Sequence, residues 1–203
     1  MDFVDLAALT IHDVKNRLAL VARRAEAGGD PETLRGVLES AAELTRLLAW
    51  YKAERGGLEP QIDARVPADV VEEVVAETGR QTALTVSAEL SGAPGLGFYD
   101  ESLVRMVLVD AVYNALRHAR QRVVVGATQR DGWLVFFVRD DGPGYPPEML
   151  AAPAEMRPLG RHGTGLGLAL AARVAAAHAN AGLTGRTLLG NDGGAVFSLL
   201  LPA

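Results

Sequence analysis

From Val4 to Ala25 the side chains of Val4, Ala7, Ile11, Val14, Leu18, Val21 and Ala25 recur at alternating spacings of three and four residues. That rhythm draws one apolar stripe along a helix and matches the seam of a helix packed in a bundle. Gly28-Gly29-Asp30-Pro31 then reads as a stop, an N-cap and a first-turn proline, after which Leu34, Val37, Ala41, Leu44, Leu48 and Tyr51 resume the same spacing. Two such helices joined by a short turn form an antiparallel hairpin. A hairpin of this size cannot cover both stripes alone, so burial predicts that two copies pair into a dimeric four-helix bundle.

After residue 56 the pattern changes. Gly56-Gly57, Pro60 and Pro67 punctuate the chain and predict a boundary, with a helical domain over 1–59 and a second domain over 60–203. In the second, residues 68–77 read as a helix and 84–90 alternate like a strand. Residues 102–119 form a helix with Val104, Val107, Leu108, Ala111 and Ala115 inward. Residues 123–127 and 133–138 are strands joined across Gln129-Arg130-Asp131-Gly132, 166–178 is an alanine-rich helix, and 187–189 pairs with 196–200. The expected class is α+β: a helical hairpin followed by an α/β sandwich with a mixed, largely antiparallel sheet.

Of the 203 residues, 49% are apolar, enough for a sizeable core. A formal charge of -5, with arginines and aspartates interspersed, leaves no basic stripe for nucleic acid, and no nucleic-acid partner is expected. The absence of cysteine excludes thiolate catalysis, thiolate metal sites and a disulfide framework. An acidic start, Met1-Asp2-Phe3-Val4-Asp5, lacks the basic stretch of a signal peptide, and Arg173 interrupts the most apolar late run. No membrane segment is expected, and the cytoplasm is the default location.

Three constellations carry chemistry. On the 102–119 helix, Asp110, Asn114, Arg117 and His118 share a polar face. Asn114 could coordinate Mg²⁺ beside nucleotide phosphates, with Asp110 as a further candidate, and Arg117 could neutralise phosphate charge. Asp140 directly follows the 133–138 strand and precedes Asp141-Gly142-Pro143-Gly144, where Gly142 and Gly144 let the backbone turn and approach a flat ligand while the carboxylate could accept from an adenine amino group. Gly163, Gly165 and Gly167 run into the 166–178 helix, so backbone N–H groups at a helix N-terminus would face an anion. These glycines match neither the phosphate loop, since no lysine follows, nor the dinucleotide fingerprint, since no strand precedes.

With Ile11-His12-Asp13-Val14-Lys15-Asn16 these segments follow a recognisable order, and the chain resembles the histidine kinases of two-component signalling, members of the GHKL ATPase superfamily. Residues 11–16 look like the H box, 110–118 the N box, 140–144 the G1 box and 163–167 the G2 box. The resemblance implies a GHKL sandwich that binds ATP and Mg²⁺, and a homodimer whose partner is a response-regulator receiver domain. It implies that His12 accepts the γ-phosphoryl group, Asp13 orients its imidazole, Asn16 assists dephosphorylation of the partner, Asn114 holds Mg²⁺ and Asp140 reads adenine. Arg117, His118 and the glycines of both boxes complete the nucleotide site.

The chain departs from the family in three places. Residues 145–162 contain no Phe, where many members have a phenylalanine-bearing lid, so a short lid is expected. Asp110 stands where many kinases have Asn and other GHKL ATPases a water-activating Glu. Only eleven residues precede His12, so the usual signalling helix is not expected ahead of it. Two other readings therefore stand beside the autokinase: a histidine phosphotransferase relaying phosphate between response regulators on a kinase-like dimer, and a GHKL ATPase or serine kinase without phosphohistidine.

Overall fold

A computed structural model of the chain describes residues 3–30, 32–34, 36–37, 40–41, 44–45, 58–80, 82–151 and 166–203, and their side chains except those of 3–13, 15 and 166. The chain divides into two compact units, Met1–Leu58 and Glu59–Ala203.

In the first unit, helix α1 spans Phe3–Gly28. It ends at Gly29, whose φ of 67° turns the backbone left-handed. The Gly29 N–H reaches the Glu26 carbonyl at 3.2 Å and the Asp30 N–H the Ala25 carbonyl at 2.9 Å, the paired closure of a Schellman motif. Asp30 caps the next helix, its carboxylate accepting from the Thr33 N–H at 3.1 Å and the Thr33 hydroxyl at 2.7 Å. The hydrogen bonds from Thr33 hold the Asp30 carboxyl below its ordinary value. The described residues between 32 and 45 are helical and constitute α2. There Leu34, Val37, Ala41 and Leu44 are half-buried while Thr33, Gly36 and Ser40 are exposed, the division the apolar spacing predicts. Leu48, Tyr51 and Pro31 lie outside the described residues.

The second unit runs β1 (Asp63–Arg65), α3 (Pro67–Gly79), β2 (Thr85–Gly92), β3 (Gly97–Tyr99), α4 (Glu101–Leu116), β4 (Arg122–Arg130), β5 (Trp133–Asp140), α5 (Pro147–Ala151), α6 (Leu166–Ala177), β6 (Ala179–Asn180), β7 (Leu183–Thr184), β8 (Arg186–Asn191) and β9 (Ala195–Pro202). Its main sheet has the order β2-β4-β5-β9-β8. Only β2 and β4 are parallel, and the crossover between them carries α4. The remaining pairs are antiparallel, so the sheet is mixed and largely antiparallel as expected. Two short ribbons, β1-β3 and β6-β7, flank it.

The β4-β5 hairpin is tighter than the sequence suggests. Its loop is only Asp131-Gly132, with φ of 51° and 77°, and the ladder pairs Arg130 with Trp133. Positive φ at both central residues is what the strand twist demands of a two-residue connection, and Asp-Gly supplies it.

One face of the sheet carries the core. Val123, Val125 and Ala127 of β4, Leu134, Phe136 and Val138 of β5, and Phe197, Leu199 and Leu201 of β9 are buried in register. Against them pack Val70, Val71 and Val74 of α3, Val104, Leu108 and Val112 of α4, and Leu170, Ala171, Val174 and Ala175 of α6. Tyr99 meets Phe136 edge-on, with ring centroids 5.2 Å apart. Helix α4 turns Val112 rather than Ala111 fully inward, and it stops at Leu116 instead of reaching Ala119. The cause lies in distant chain: the Asp141 carboxylate takes the backbone N–H groups of Arg120 (2.8 Å), Gln121 (3.1 Å) and Arg122 (3.3 Å), which would otherwise extend the helix. Burial raises the Asp141 carboxyl, but those three backbone hydrogen bonds outweigh it and hold the group below its ordinary value.

Candidate functional site

Helix α4 is the wall from which the site is built. Asp100 caps it, its Oδ1 accepting from the Leu103 N–H at 3.0 Å and the Ser102 hydroxyl at 2.7 Å, while Oδ2 takes the Gln61 N–H at 2.8 Å. Nearly three turns on, Asp110 is half-buried and faces Gly167, in the first turn of α6. A Cβ added at Gly167 would run into the Asp110 carboxylate and push that side chain aside. Asn114 follows one turn later and is half-buried. Arg117 is the C-cap and His118 lies beyond it, both exposed, so these two leave the helical face that the sequence assigned to them.

At the end of α4 the loop after β5 closes in. Asp140 is the last residue of β5 rather than the first after it, and is only 7% exposed. Its Oδ1 accepts from the Gly142 N–H at 2.7 Å and the Ala195 N–H at 3.2 Å. Gly142 is buried beneath the turn after α4: a Cβ there would lie 2.5 Å from the His118 carbonyl oxygen. Gly144 adopts φ of 83° and abuts the side chain of Asn191. Asp110, Asn114, Asp140, Gly142, Gly144 and Gly167 are thus gathered round one helix and one strand end. Gly163 and Gly165 lie outside the described residues. His12, Asp13 and Asn16 belong to the other unit, on the α1 backbone; Asn16 is exposed, and the side chains of His12 and Asp13 lie outside the described residues.

Sequence reasoning missed the contribution of the β8-β9 turn. A Cβ at Gly194 would strike the Asp140 carbonyl oxygen, and Ala195 donates to the Asp140 carboxylate. The local signal, Asn191-Asp192-Gly193-Gly194, is that of a hairpin turn and nothing in it reveals the neighbour. A cavity of about 370 Å³ beside this end of the sheet, lined by Arg122, Val124, Arg139, Asp140, Asp141, Asp192 and Gly193, takes its β4 and β5 side chains Arg122, Val124 and Arg139 from positions alternating with the core residues. Those three side chains lie on the sheet face away from the helices, while Asp140 is shared with the site walled by α4.

A buried carboxylate ending a central strand, with glycines on either side and a helix carrying Asp110 and Asn114 alongside, suits a purine and its phosphates. Residues 99–203, about half of the chain, match the family of histidine kinase-, DNA gyrase B- and HSP90-like ATPases. The chain belongs to this family. Among curated relatives of this GHKL ATPase, a probable sensor histidine kinase of Mycobacterium tuberculosis is 30% identical over 187 residues, covering 84% of this chain and 48% of the relative. The signal transduction histidine-protein kinase AfsQ2 of Streptomyces coelicolor is 34% identical over 112 residues, covering 51% of this chain and 20% of AfsQ2. The chain thus spans about half or less of these relatives. Among solved structures, full-length ShkA in complex with AMPPNP gives a TM-score of 0.69 at 21% identity, covering 98% of this chain and 45% of that one. The Acinetobacter baumannii histidine kinase AdeS gives 0.65 at 19% identity, covering 94% and 97%. At such identities the likeness is one of fold.

Proposed function

We propose that the protein is an ATP-dependent histidine kinase that phosphorylates its own His12 and passes the phosphoryl group to an aspartate of a response-regulator receiver domain. Residues 1–59 would serve as dimerisation and phosphoacceptor hairpin and 60–203 as the ATP-binding catalytic domain. The observation that carries this reading is the buried Asp140 carboxylate, which the Gly142 and Ala195 N–H groups hold through Oδ1 at the end of a central strand and which would accept from an adenine amino group. The sensor histidine kinases among its relatives support the direction of the chemistry.

The residues present fit the nucleotide. Gly142 and Gly144 let the loop after Asp140 fold closely against the turn after α4 and the Asn191 side chain, and Gly167 lies in the N-terminal turn of α6, where helix N–H groups would favour phosphate. Among the described residues no group of three or more His, Asp or Glu side chains forms a metal cage. A Mg²⁺ ion would therefore be held by nucleotide phosphates and one or two protein oxygens, Asn114 first and Asp110 possible by its position, and would neutralise phosphate charge. In the transfer, a lone pair of the neutral His12 imidazole attacks the γ-phosphorus, the bond to the β–γ bridging oxygen breaks, and ADP leaves. Asp13 stabilises the positive charge that develops on the ring, and Asn16 serves a separate hydrolysis at the receiver, in which water attacks the phosphorus, the aspartate carboxylate leaves and inorganic phosphate is released.

Two further parts of the reading rest on α1 and on composition. Val14 and Val21 of the apolar seam are 37% and 40% exposed in the single chain, which supports a second copy as their cover. No helix among the described residues is long and apolar enough to cross a membrane, and the ATP requirement assigns the reaction to the cytoplasm.

Purified protein incubated with radiolabelled Mg-ATP should acquire an acid-labile, base-stable phosphate that His12→Ala removes while nucleotide binding survives. Asn114→Ala should abolish the metal-dependent part of nucleotide binding. Nucleotide binding with no label on the wild type would replace the kinase by a phosphate relay, and label persisting in His12→Ala would replace it by another GHKL activity.

A further inference from the structure

The loop from Asp140 to Tyr145 is gripped at both ends by one pair of facing residues in the β8-β9 hairpin. Asn191 and Ala195 are the last ladder pair before the turn. Ala195 donates its N–H to Asp140 at one end of the loop. At the other, Asn191 Oδ1 accepts from the Tyr145 N–H at 2.8 Å, and Asn191 Nδ2 donates to the Tyr145 carbonyl at 2.9 Å. The amide thus reproduces with its side chain the reciprocal pair of bonds that two antiparallel backbones would exchange. Gly144, in its left-handed conformation, would place a Cβ 2.8 Å from the Asn191 amide carbon, so the loop and the amide are fitted to one another.

From this geometry we infer that Asn191 is a positioning residue for nucleotide selection, fixing the Asp140–Tyr145 loop so that the Asp140 carboxylate meets the exocyclic amino group of adenine. The inference rests on the nucleotide site proposed above. Asp140, the Asp141 carboxylate and the buried Gly142 hold the strand end of the loop, and the Asn191 amide holds its far end at Tyr145, so the Gly144 turn is fixed from both sides. Because the anchoring bonds are made by an exposed side chain to backbone, losing them removes no core contact, and the consequence falls on loop position rather than on global stability. Loss of such preorganisation lowers affinity for the ligand that depends on it.

The test compares Asn191→Ala, Asn191→Asp and Asp140→Ala in the full chain. Binding of Mg-ATP and Mg-ITP is measured by titration, with the melting temperature taken in parallel; ITP lacks the exocyclic amino group. For Asn191→Ala, ATP affinity should fall about tenfold, the equivalent of the two exposed hydrogen bonds lost. ITP affinity should fall less, so the ATP-to-ITP ratio shrinks, while the melting temperature stays near that of the wild type. Asn191→Asp keeps the acceptor for the Tyr145 N–H and loses the donor, and should lie between. If Asp140→Ala weakens ATP but Asn191→Ala changes neither affinity nor ratio, the positioning role is overturned and the nucleotide site stands. Equal loss for both nucleotides together with a lowered melting temperature would likewise overturn it in favour of a structural role. If Asp140→Ala leaves ATP binding intact, the nucleotide site itself fails and this inference with it.

Discussion

His178 joins two helices through its imidazole and is only 3% exposed. Its Nδ1 lies 2.7 Å from the Val174 carbonyl of α6, and its Nε2 accepts the Asp100 backbone N–H at 3.0 Å. One nitrogen must donate and the other accept, so the fold selects a single tautomer of the neutral ring. Protonation would turn Nε2 into a donor facing a donor. Burial lowers the pKa of His178, against the smaller raising effects of the Val174 carbonyl and the Asp100 carboxylate. Because the folded value lies below the ordinary 6.5, the unfolded chain binds more protons as pH falls, and stability follows pH downward. The contribution of His178 is therefore complete above pH 6.5 and is lost as pH falls from there toward its folded value. Melting temperatures of the wild type and His178→Gln across that range should converge on acidification, and a constant difference between them would show that the ring does not titrate in this way.

At the scale of elements, α4 presents Asp110 to α6, Asn114 to the site and its C-terminal turn to the loop after β5, so its start point sets the register of all three. That start depends on Asp100. Burial raises the Asp100 carboxyl, yet bonds from Ser102, Leu103 and Gln61 and the nearby His178 together bring it below its ordinary value. Asp100→Ala removes the N-cap and strands the Gln61 N–H, and should cost about 1–2 kcal/mol, lowering the melting temperature of the domain by roughly 3–8 °C. An unchanged melting temperature would show that the cap is dispensable. The elements legible in the sequence were those with a local cause: the apolar period of α1, α3, α4 and α6, and the Asp131-Gly132 turn. Ribbon β1-β3 was not, because Asp63 pairs with Tyr99 across a separation no local pattern encodes, and its strands are three residues each. The site divides in the same way. Asp140, Gly142 and Gly144 stand in one short string with its own turn chemistry, whereas Asn191 acts on Tyr145 46 residues away and Gly194 matters only for its approach to the Asp140 backbone. The early end of α4 was hidden for the same reason, since its stop signal is the side chain of Asp141.

At the scale of the whole molecule, the proposed kinase requires two copies of the first unit and one complete nucleotide site in each second unit. The seam of α1 is where this can be tested without touching the nucleotide site. Val14 and Val21 keep more than a third of their surface exposed, which leaves about 1 kcal/mol of burial per side chain for a partner helix to recover. A two-fold pairing brings four such valines together, worth about 4 kcal/mol, or roughly a thousandfold in the dissociation constant. Replacing both by aspartate loses that burial and places like charges across the axis. The double variant Val14→Asp/Val21→Asp should therefore run as a monomer by light scattering at concentrations where the wild type is a dimer. Mg-ATP affinity should be unchanged, because Asp140, Asn114 and Gly167 all lie in the unit from Glu59 to Ala203. If the subunits phosphorylate one another, label on His12 falls with dimer dissociation; if each phosphorylates itself, label persists in the monomer. A wild type that is monomeric at every concentration, or a double variant that dimerises as tightly as the wild type, would remove the α1 seam as the dimer interface.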